Sequence, residues 1–392
     1  MSETPLISKR AQSIEPSLTL EISAKAKALK AEGKDICSLS AGEPDFDTPE
    51  FIVEAAIKAL KDGITRYGPA AGDPELREAI ALKQTEINKV PTKQQNVLIT
   101  NGGKQAIFNL FQVLLNPGDE VLIPSPYWLS YPEITRLAGA KPIKINSSTQ
   151  EGFKINIQKL QEKVTERTRL LIINSPSNPT GRVISLQELK EIADFLRKNP
   201  NILLMSDEIY EFLISKDKPH YSFAQVAPDL ENRIFIVNGF AKAWAMTGWR
   251  IGYLVGNTKV INKAIALQSQ STSNVCSFAQ RGALAALQGP KDCIEKMVKT
   301  YANRREILTS SLQKLEDVSL VKPEGAFYAF PEIKRANMNS IDFCKKALDK
   351  VGLALVPGVA FGNDHCIRIS CSASNENIIE GINRLKILLS MS

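Results

Sequence analysis

The chain has 392 residues, of which 43% are hydrophobic and 23% are charged, and its formal net charge is +7. This length is sufficient for two domains with a large buried core, and the composition excludes a largely disordered chain. Because the basic residues are interleaved with acidic ones, the excess charge predicts a solvated basic surface rather than a nucleic-acid-binding face.

The first predicted element is a helix-forming segment, ISAKAKALKAEGKD, within the first forty-odd residues. Between about residues 95 and 260, short apolar runs then alternate with helical patterns, which predicts a largely parallel sheet covered by helices. Each run is followed by a polar or glycine-rich segment, and open α/β sheets bind their ligands at that edge. In chain order the runs are NVLIT, DEVLIP, RLLIIN, NILLMSD, RIFIVNGF and RIGYLVG.

After about residue 295 the pattern changes to a long charged helix through KTYANRREILTSSLQKL, followed by mixed strands and helices. We expect residues 48–295 to form a large domain. Residues 1–47 and 296–392 are expected to form a smaller α+β domain together.

Targeting and metal-binding signals are weak throughout. The N-terminal residues have no apolar segment of the signal-peptide type, and no apolar run is long enough to span a bilayer. The six cysteines form no CxxC pair and no histidine stands at metal-ligand spacing, so neither a zinc site nor a disulfide framework is indicated. We therefore expect a cytoplasmic protein that holds no metal and binds no membrane and no nucleic acid.

Two motifs lie at the ends of predicted strands. The first suits anion binding, and the second also fits a simple turn. VLITNGGKQA joins a strand to a helix through two glycines, which presents helix N-terminal amides to an anion. It is no Walker A loop, because Leu98 stands where a glycine is required before Lys104 and Gln105 follows that lysine. IINSPSNPTG carries Asn174 and Asn178, although it also fits a simple Pro/Gly turn.

Two further motifs carry ionisable groups. VNGFAKAWAMTGWRIGY places Lys242 eight residues before Arg250, and MSDEIYEFL places Asp207 and Tyr210 after an apolar run. A lysine that loses its charge can act as a nucleophile, and an arginine fork can bind phosphate. The alternatives are a solvated lysine, a salt-bridged arginine and an aspartate that only caps a helix.

Serine hydrolase chemistry is disfavoured. The chain contains no GxSxG motif, and His220 and His365 are its only histidines. We expect both histidines to take no part in catalysis.

Taken together and in order, SAGEPDF, RYGPAAG, TNGGKQA, SPYW, NSPSNPTG, SDEIYE and AKAWAMTGWRIGY resemble the class I aminotransferases, which are pyridoxal 5'-phosphate (PLP) enzymes of fold type I. The resemblance covers nearly the whole chain and, within the family, is greatest to the bacterial-type aspartate aminotransferases. It implies an α/β fold with a mostly parallel seven-stranded sheet flanked by helices in the large domain, plus a smaller α+β domain. It also implies a homodimer with shared active sites.

For catalysis, the resemblance implies that Lys242 carries PLP and moves the proton from the substrate. Asp207 would pair with the pyridine nitrogen and keep it protonated, so that the ring accepts electrons. Tyr210 and Asn178 would form hydrogen bonds to the 3'-oxygen of the cofactor.

The resemblance also implies the remaining cofactor contacts. Arg250 and the backbone amides of Gly103 and Lys104 would bind the phosphate. Trp128 would stack on the pyridine ring, and Tyr67 would reach the phosphate bound in the other subunit.

For the substrate, the resemblance assigns the α-carboxylate to Arg368, with Gly42 beside it and Trp128 and Asn178 nearby. Lys104 would meet an acidic side chain, with Thr19 close to it. A lysine supplies charge without the bidentate geometry of arginine, so looser discrimination is expected. The alternative is that Lys104 only caps the phosphate-binding loop.

The implied reaction exchanges the amino group of L-aspartate with 2-oxoglutarate, forming oxaloacetate and L-glutamate by a ping-pong mechanism. Gly239 and Ala241 depart from the family, because many members supply phosphate-binding hydroxyls just before the lysine. Glu15 stands where prephenate-using relatives tend to carry a lysine, which disfavours prephenate. The alternatives are an aromatic or prephenate aminotransferase, a PLP-dependent lyase of the same fold, and a PLP-sensing regulator, which would need a DNA-binding module.

Overall fold

The computed structural model describes residues 6–12, 14, 16, 18–215, 218–334 and 338–391. Its strands are β1 (Cys37–Ser38), β2 (Val97–Thr100), β3 (Glu120–Pro124), β4 (Lys141–Ile145), β5 (Thr168–Asn174), β6 (Leu203–Asp207), β7 (Ile234–Gly239), β8 (Gly252–Val255), β9 (Val318–Ser319), β10 (Tyr328–Ala329), β11 (Glu332–Ile333), β12 (Leu353–Ala354), β13 (Val356–Pro357) and β14 (Ile367–Ser370).

Helices cover the strands and fill the connections between them. They are α1 (Lys9–Gln12), α2 (Leu18–Ala31), α3 (Glu50–Lys61), α4 (Pro74–Glu86), α5 (Gly102–Leu114), α6 (Ser130–Leu137), α7 (Ile157–Glu162), α8 (Leu186–Lys198), α9 (Phe223–Val226), α10 (Thr258–Ser269), α11 (Ser277–Gln288), α12 (Asp292–Leu312), α13 (Ser340–Val351) and α14 (Asn375–Ser390), with 3₁₀ turns at Gln94–Asn96, Pro228–Arg233 and Gly358–Phe361. Within the described part of the chain, none of the helices combines the length and the apolar character that crossing a membrane requires.

Local sequence signals explain where several helices begin and end. Ser185 and Glu188 form a reciprocal capping box that satisfies free backbone amides at the start of α8. Asn339 caps the start of α13 through its side chain. Gly352 ends the same helix with a φ of 62°, a left-handed conformation that glycine adopts without steric cost.

The central sheet has seven strands in the order β2-β8-β7-β6-β5-β3-β4. Strands β3 to β7 pair in parallel, whereas β8 is antiparallel to both β2 and β7. The mostly parallel seven-stranded sheet predicted from the sequence is therefore confirmed. Because β8 runs in the opposite direction, its beginning lies at the same edge as the ends of the parallel strands.

The apolar runs identified in the sequence correspond to six of these strands, and β4 is the seventh. Its sequence, KPIKI, contains Lys141 and Lys144 and leaves most of its side chains partly exposed. An edge strand is not covered on all sides, so it needs no continuous apolar run. This explains why the pattern of apolar runs did not include β4.

Both faces of the sheet are buried. Successive residues point to opposite faces, so that Leu98 packs in one hydrophobic cluster and Ile99 in another, and Phe235 and Ile236 divide in the same way. Burial on both faces accounts for the continuous apolar runs of the other strands, because few of their side chains are left facing water.

A third hydrophobic cluster holds the C-terminal part together. It joins Leu39 to residues of α12, α14 and β14, and β1 pairs in parallel with β12. Along α12, Ile294 packs in a cluster of the large sheet, whereas Met297 packs in the C-terminal cluster. The expected boundary at residues 295 and 296 falls between these two side chains, and the domain division stays a prediction.

Candidate active site

A cavity of about 520 Å³ opens at the edge where the parallel strands end. This volume lies within the range of small-molecule sites. Residues that follow β2, β3, β5, β6 and β7 line it, together with parts of α2 and β14. The cavity brings together every site residue expected from the sequence except Tyr67: Thr19, Gly42, Gly103, Lys104, Trp128, Asn178, Asp207, Tyr210, Lys242, Arg250 and Arg368.

Lys242 lies in the turn after β7, with its amine directed into the cavity. The Nζ atom donates a 2.6 Å hydrogen bond to the carbonyl of Gly42 and lies 5.8 Å from the ring centres of Tyr210 and Phe327. Burial lowers the pKa of Lys242 to about 8, and Glu43 is the strongest of the charges that oppose this shift. About a tenth of the amine is therefore uncharged at pH 7, far more than at the ordinary lysine pKa, and a general base acts in this uncharged form.

Asp207 ends β6 and is buried at the base of the cavity. Its Oδ2 atom accepts a 2.6 Å hydrogen bond from the hydroxyl of Tyr131, and its Oδ1 atom accepts a longer one, 3.3 Å, from the backbone amide of Ile209. Burial raises the pKa of Asp207 to about 6, whereas the bond from Tyr131 acts in the opposite direction. The carboxylate is thus desolvated but kept charged near neutral pH by a specific donor.

Tyr131 is a site residue that the sequence analysis missed. It lies in α6, is buried, and also packs edge-to-face against Trp128 with ring centres 5.4 Å apart. Its position three residues after Trp128 in SPYWLSYPE was an available signal, because the turn that leads into α6 brings the two residues together: the amide of Tyr131 donates a 3.0 Å hydrogen bond to the carbonyl of Trp128.

An anion site is formed by the beginning of α5 and by Arg250. The first amides of a helix have no partners within the helix and can bind an anion. Arg250 precedes β8 in a left-handed conformation with a φ of 56°, a strained state for a residue with a side chain. Its Nη1 atom donates to the carbonyl of Thr247 at 3.0 Å, and its Nη2 atom donates to the carbonyl of Asn101 at 3.4 Å.

Glycines permit this close approach. A Cβ atom at Gly102 would lie 2.5 Å from Nη2 of Arg250, and one at Gly252 would lie 2.4 Å from the nitrogen of Gly103. Gly239 lies against the same strand, where a Cβ atom would be 2.9 Å from the Cα atom of Gly252. A hydroxyl-bearing side chain therefore has no room at Gly239, which gives a physical reason for this departure from the family.

Arg368 is buried in β14 and held rigidly. Its Nη1 atom donates to Oδ1 of Asn178 at 3.1 Å, and its Nη2 atom donates to the carbonyl of Ser40 at 2.9 Å. Its Nε atom is buried without a hydrogen-bond partner among the residues that the structure describes. The guanidinium lies 4.6 Å from the ring centre of Tyr328. An anion entering the cavity would compensate this buried cation.

Tyr328 is a second site residue that the sequence analysis missed. Its hydroxyl lies 3.0 Å from the hydroxyl of Tyr210, and it lines the cavity beside Arg368. It belongs to β10, which is more than one hundred residues beyond Tyr210. The sequence contains no local signal for this contact.

Lys104 and Thr19 lie on different elements that border the cavity. The Nζ atom of Lys104 is 5.1 Å from the ring centre of Trp128, and burial, followed by the charge of Arg250, lowers the pKa of Lys104. The hydroxyl of Thr19 is buried and has no partner within the described ranges. Glu15 lies outside the described residues.

Tyr67 lies outside the cavity and is 93% exposed in the single chain. The neighbouring carbonyl of Arg66 accepts a 2.9 Å hydrogen bond from Ser277, which fixes the backbone beside it. The expected contact of Tyr67 with another subunit stays a prediction.

Behind the cavity, Glu208, Glu211 and His220 form a buried acidic group, with potential ligand atoms within 4.8 Å of one another. Glu211 is paired with Lys83 and accepts a 2.8 Å hydrogen bond from Asn88. The Nε2 atom of His220 lies 3.6 Å from Oε2 of Glu208. Because Lys83 compensates the charge of Glu211, these residues form an internal ionic cluster that supports the strand ends.

Comparison with known proteins places this geometry in context. The family described as aminotransferase class I and II matches residues 34–385. The chain is 44% identical over 385 residues to a probable aspartate/prephenate aminotransferase of Aquifex aeolicus, covering 97% of this chain and 98% of the relative. It is 42% identical over 395 residues to the aspartate/prephenate aminotransferase of Nitrosomonas europaea, covering 98% and 100%.

The solved aspartate aminotransferase of Thermus thermophilus with maleate has the same fold. Its TM-score to this chain is 0.94 at 39% sequence identity, and the match covers 98% of this chain and 100% of the solved one. The fold expected from the sequence is therefore confirmed over nearly the whole chain.

Proposed function

The chain belongs to the class I and II aminotransferases, and we propose that it transfers the amino group of L-aspartate to 2-oxoglutarate with PLP bound in the cavity described above. One observation carries this proposal. A single cavity contains a lysine amine, a buried aspartate, an arginine at a helix N-terminus and a second, buried arginine. These are the groups that a PLP-dependent transfer between amino and oxo acids requires.

The residues present fit PLP in size and charge. The phosphate would be bound by Arg250 and by the first amides of α5, where Gly102 and Gly252 leave space for the close approach. Trp128 lines the same cavity on the α6 side, where it would cover a flat ring, and Asp207 offers a buried acceptor at the base. When bound, PLP supplies an electron sink that stabilises the charge left as a proton departs from the substrate Cα atom.

Lys242 is the proposed site of covalent attachment and the proposed base. With a pKa of about 8, its free amine accepts and releases a proton near neutral pH. Asp207, held by Tyr131, would keep a negative charge opposite the pyridine nitrogen and thereby favour its protonated form. Tyr210 and Asn178 border the cavity between these groups, as expected for partners of the 3'-oxygen.

Arg368 is the proposed binding site of the substrate α-carboxylate. Asn178 and Ser40 hold its guanidinium in place, so that its remaining donors are oriented before the substrate arrives. Gly42 lies next to it, because a Cβ atom there would be 4.0 Å from Nη2 of Arg368. A distal carboxylate would be met by Lys104, with the buried hydroxyl of Thr19, which has no partner among the described residues, nearby.

The relatives support an acidic substrate. The names of the two relatives give aspartate and prephenate as substrates. The Thermus thermophilus structure was solved with maleate, which is a dicarboxylate. Prephenate is therefore a second candidate amino acceptor, although Glu15 disfavours it on sequence grounds. Parallel assays with 2-oxoglutarate and with prephenate as acceptors, at equal aspartate concentration, separate the two candidates.

The proposal also covers the quaternary structure, the domain division and the cellular location of the protein. We propose a homodimer in which Tyr67, prominent on the surface of the single chain, reaches the phosphate in the partner's cavity. We also propose that residues 48–295 form a large domain and that residues 1–47 and 296–392 together form a small one. A cytoplasmic location stays a prediction from the cysteine pattern.

The visible absorption spectrum of the purified protein tests cofactor and substrate in one experiment. We expect a band of bound PLP that disappears when L-aspartate is added and returns when 2-oxoglutarate is added. If the band is present but aspartate leaves it unchanged, the assignment of PLP as the cofactor stands and aspartate is refuted as the amino donor. Tryptophan, phenylalanine and tyrosine would then be tested as donors.

A further inference from the structure

The segment from Gly42 to Thr48 is tied to the turn that carries Lys242. The amine of Lys242 donates to the carbonyl of Gly42, and the next residue, Glu43, directs its side chain back to the same turn. The Oε2 atom of Glu43 accepts a 2.8 Å hydrogen bond from the hydroxyl of Thr247. The carbonyl of Thr247 in turn accepts a 3.0 Å hydrogen bond from Arg250. Glu43 is thus linked to both cations of the turn.

The backbone of this segment is fixed from the opposite side by the C-terminal part of the chain. The carbonyl of Glu43 accepts a 2.5 Å hydrogen bond from the hydroxyl of Ser372, which follows the strand containing Arg368. Two residues later, Asp45 accepts a 2.8 Å hydrogen bond from Arg304. The hydrogen bond between Glu43 and Thr247 therefore connects the segment from Gly42 to Thr48, which the C-terminal part of the chain holds in place, to the turn that carries Lys242.

Glu43 also balances the charge of the amine. Burial lowers the pKa of Lys242, and Arg368 and Arg250 act in the same direction, whereas Glu43 and, more weakly, Asp207 raise it. All four of these charged residues line the cavity with Lys242. Loss of the carboxylate at Glu43 would leave the two arginines opposed only by Asp207.

We propose that Glu43 is a positioning residue for Lys242, which holds the free amine against the Gly42 carbonyl and compensates its charge by acting through Thr247. The proposal rests on Lys242 as the reactive amine of the proposed function. Glu43 needs no contact with the substrate in this role. It controls where the amine of Lys242 rests and how readily that amine releases its proton.

The test measures the amine itself, in the full-length chain that is first treated with hydroxylamine, which releases any aldehyde bound to Lys242 as an oxime, and is then dialysed. Acetic anhydride labels uncharged amines, and mass spectrometry of the Lys242 peptide gives the labelling rate as a function of pH. For the wild-type protein we expect a midpoint at about pH 8. For Glu43→Gln, which keeps the size of the side chain, we expect a midpoint lower by roughly 0.2–0.7 of a pH unit, the range of a partly solvated charge pair.

Glu50→Gln is the matched control, because it removes the same charge from an exposed position at the start of α3. We expect its midpoint to coincide with that of the wild-type protein. A Glu43→Gln midpoint equal to the wild-type value, or a shift that Glu50→Gln reproduces, would overturn the proposal.

Variants of Thr247 test the connection through the hydroxyl. Thr247→Val removes the hydrogen bond but leaves the charge of Glu43, so we expect a smaller shift in the same direction. Thr247→Ser keeps the hydroxyl and should restore the wild-type midpoint. An unchanged midpoint in Thr247→Val would refute the route through Thr247.

Activity of the loaded enzyme supplies a second readout. If Lys242 is the base, the acidic limb of kcat against pH should move to lower pH in Glu43→Gln by the same amount, with an unchanged KM for aspartate. A wild-type enzyme that does not use aspartate would refute the proposed function alone, because the labelling midpoint does not depend on turnover. A change confined to KM would instead indicate that Glu43 contacts the substrate and would refute the positioning role.

Discussion

Replacing Tyr131 by phenylalanine removes a single hydroxyl that has no proposed contact with the substrate. This hydroxyl donates a 2.6 Å hydrogen bond to Asp207, and both side chains are buried. A hydrogen bond to a charged group contributes about 1.5–3 kcal/mol, which corresponds to roughly one to two pKa units. Because the bond lowers the pKa of Asp207, its loss should raise that pKa from about 6 to roughly 7–8.

The expected consequence is a partly neutral Asp207 at physiological pH. A neutral carboxyl group no longer favours the protonated pyridine nitrogen, so turnover with aspartate should fall roughly 2- to 10-fold at pH 7, in proportion to the ionised fraction of Asp207. The rate loss should disappear as the pH rises, since the ionisation of Asp207 moves upward by roughly one to two pH units whereas that of Lys242 is unchanged. The phenylalanine ring keeps the packing against Trp128, which limits any loss of stability.

The assay is the pH dependence of kcat for transfer from aspartate to 2-oxoglutarate between pH 5.5 and 9.5. Tyr127→Phe is the matched control, because Tyr127 lies four residues earlier and its hydroxyl donates to no side chain within the described ranges. A pH profile of kcat in Tyr131→Phe that coincides with the wild-type profile would refute the reasoning. A rate loss that is equal at every pH would assign Tyr131 a purely structural role.

Further changes test the other assignments. Lys242→Ala should abolish turnover while the protein folds and retains PLP noncovalently, as measured by absorbance after gel filtration, and wild-type rates would sink the assignment. Arg368→Lys should raise the KM for aspartate roughly 10- to 100-fold, because a lysine lacks the bidentate fork; an unchanged KM would place the α-carboxylate elsewhere. Gly239→Ser should lower the free energy of unfolding by about 1–3 kcal/mol, because the added atoms overpack the site. Gly248→Ser is the control, because a Cβ atom there meets open space and should leave the stability unchanged. Equal melting temperatures of the two variants would contradict this prediction. In the cofactor-free protein, the pKa of Lys242 is lower in the folded chain than in the unfolded chain, so between about pH 8 and 10.5 the unfolded chain binds more protons at this residue. The free energy of unfolding, relative to that of Lys242→Met, should therefore increase as the pH rises through this range. If the difference in denaturant midpoint between the two proteins does not change with pH, the lowered pKa is refuted.

Local patterns in the sequence predicted the part of the cavity wall that follows the sheet strands, because of how parallel sheets are built, whereas Thr19, Gly42, Trp128 and Arg368 were expected from the family resemblance alone. Asp207 and Lys242 each follow an apolar run, and parallel strands end at one common edge, so motifs far apart in the chain meet there. Tyr131 was also within reach of such reasoning, since it follows Trp128 by three residues in the turn that leads into α6. The edge strand β4 was not, because its lysines interrupt the apolar pattern.

Contacts between the sheet and the C-terminal part had no such signal. The hydroxyl of Tyr328 contacts that of Tyr210, which is more than one hundred residues away in the sequence. The carbonyl of Ser40 accepts a hydrogen bond from Arg368, which is more than three hundred residues away. The direction of β8 was equally hidden, although it alone brings Arg250 to the edge where the other strands end. Nothing within a short window of sequence specifies such pairings, because they depend on how whole elements pack.

The amino-acid sequence by itself determined the alternation of strands and helices, the glycines that allow close approach and the reactive side chains at the strand ends. It could do so because each of these features depends on residues that are neighbours in the chain. Only the tertiary structure decided which partner holds each reactive group: Tyr131 on Asp207, Asn178 on Arg368, and Gly42 on Lys242. Hydrogen-bond partners and burial arise when distant elements pack, and they determine the charges on which the proposed chemistry depends.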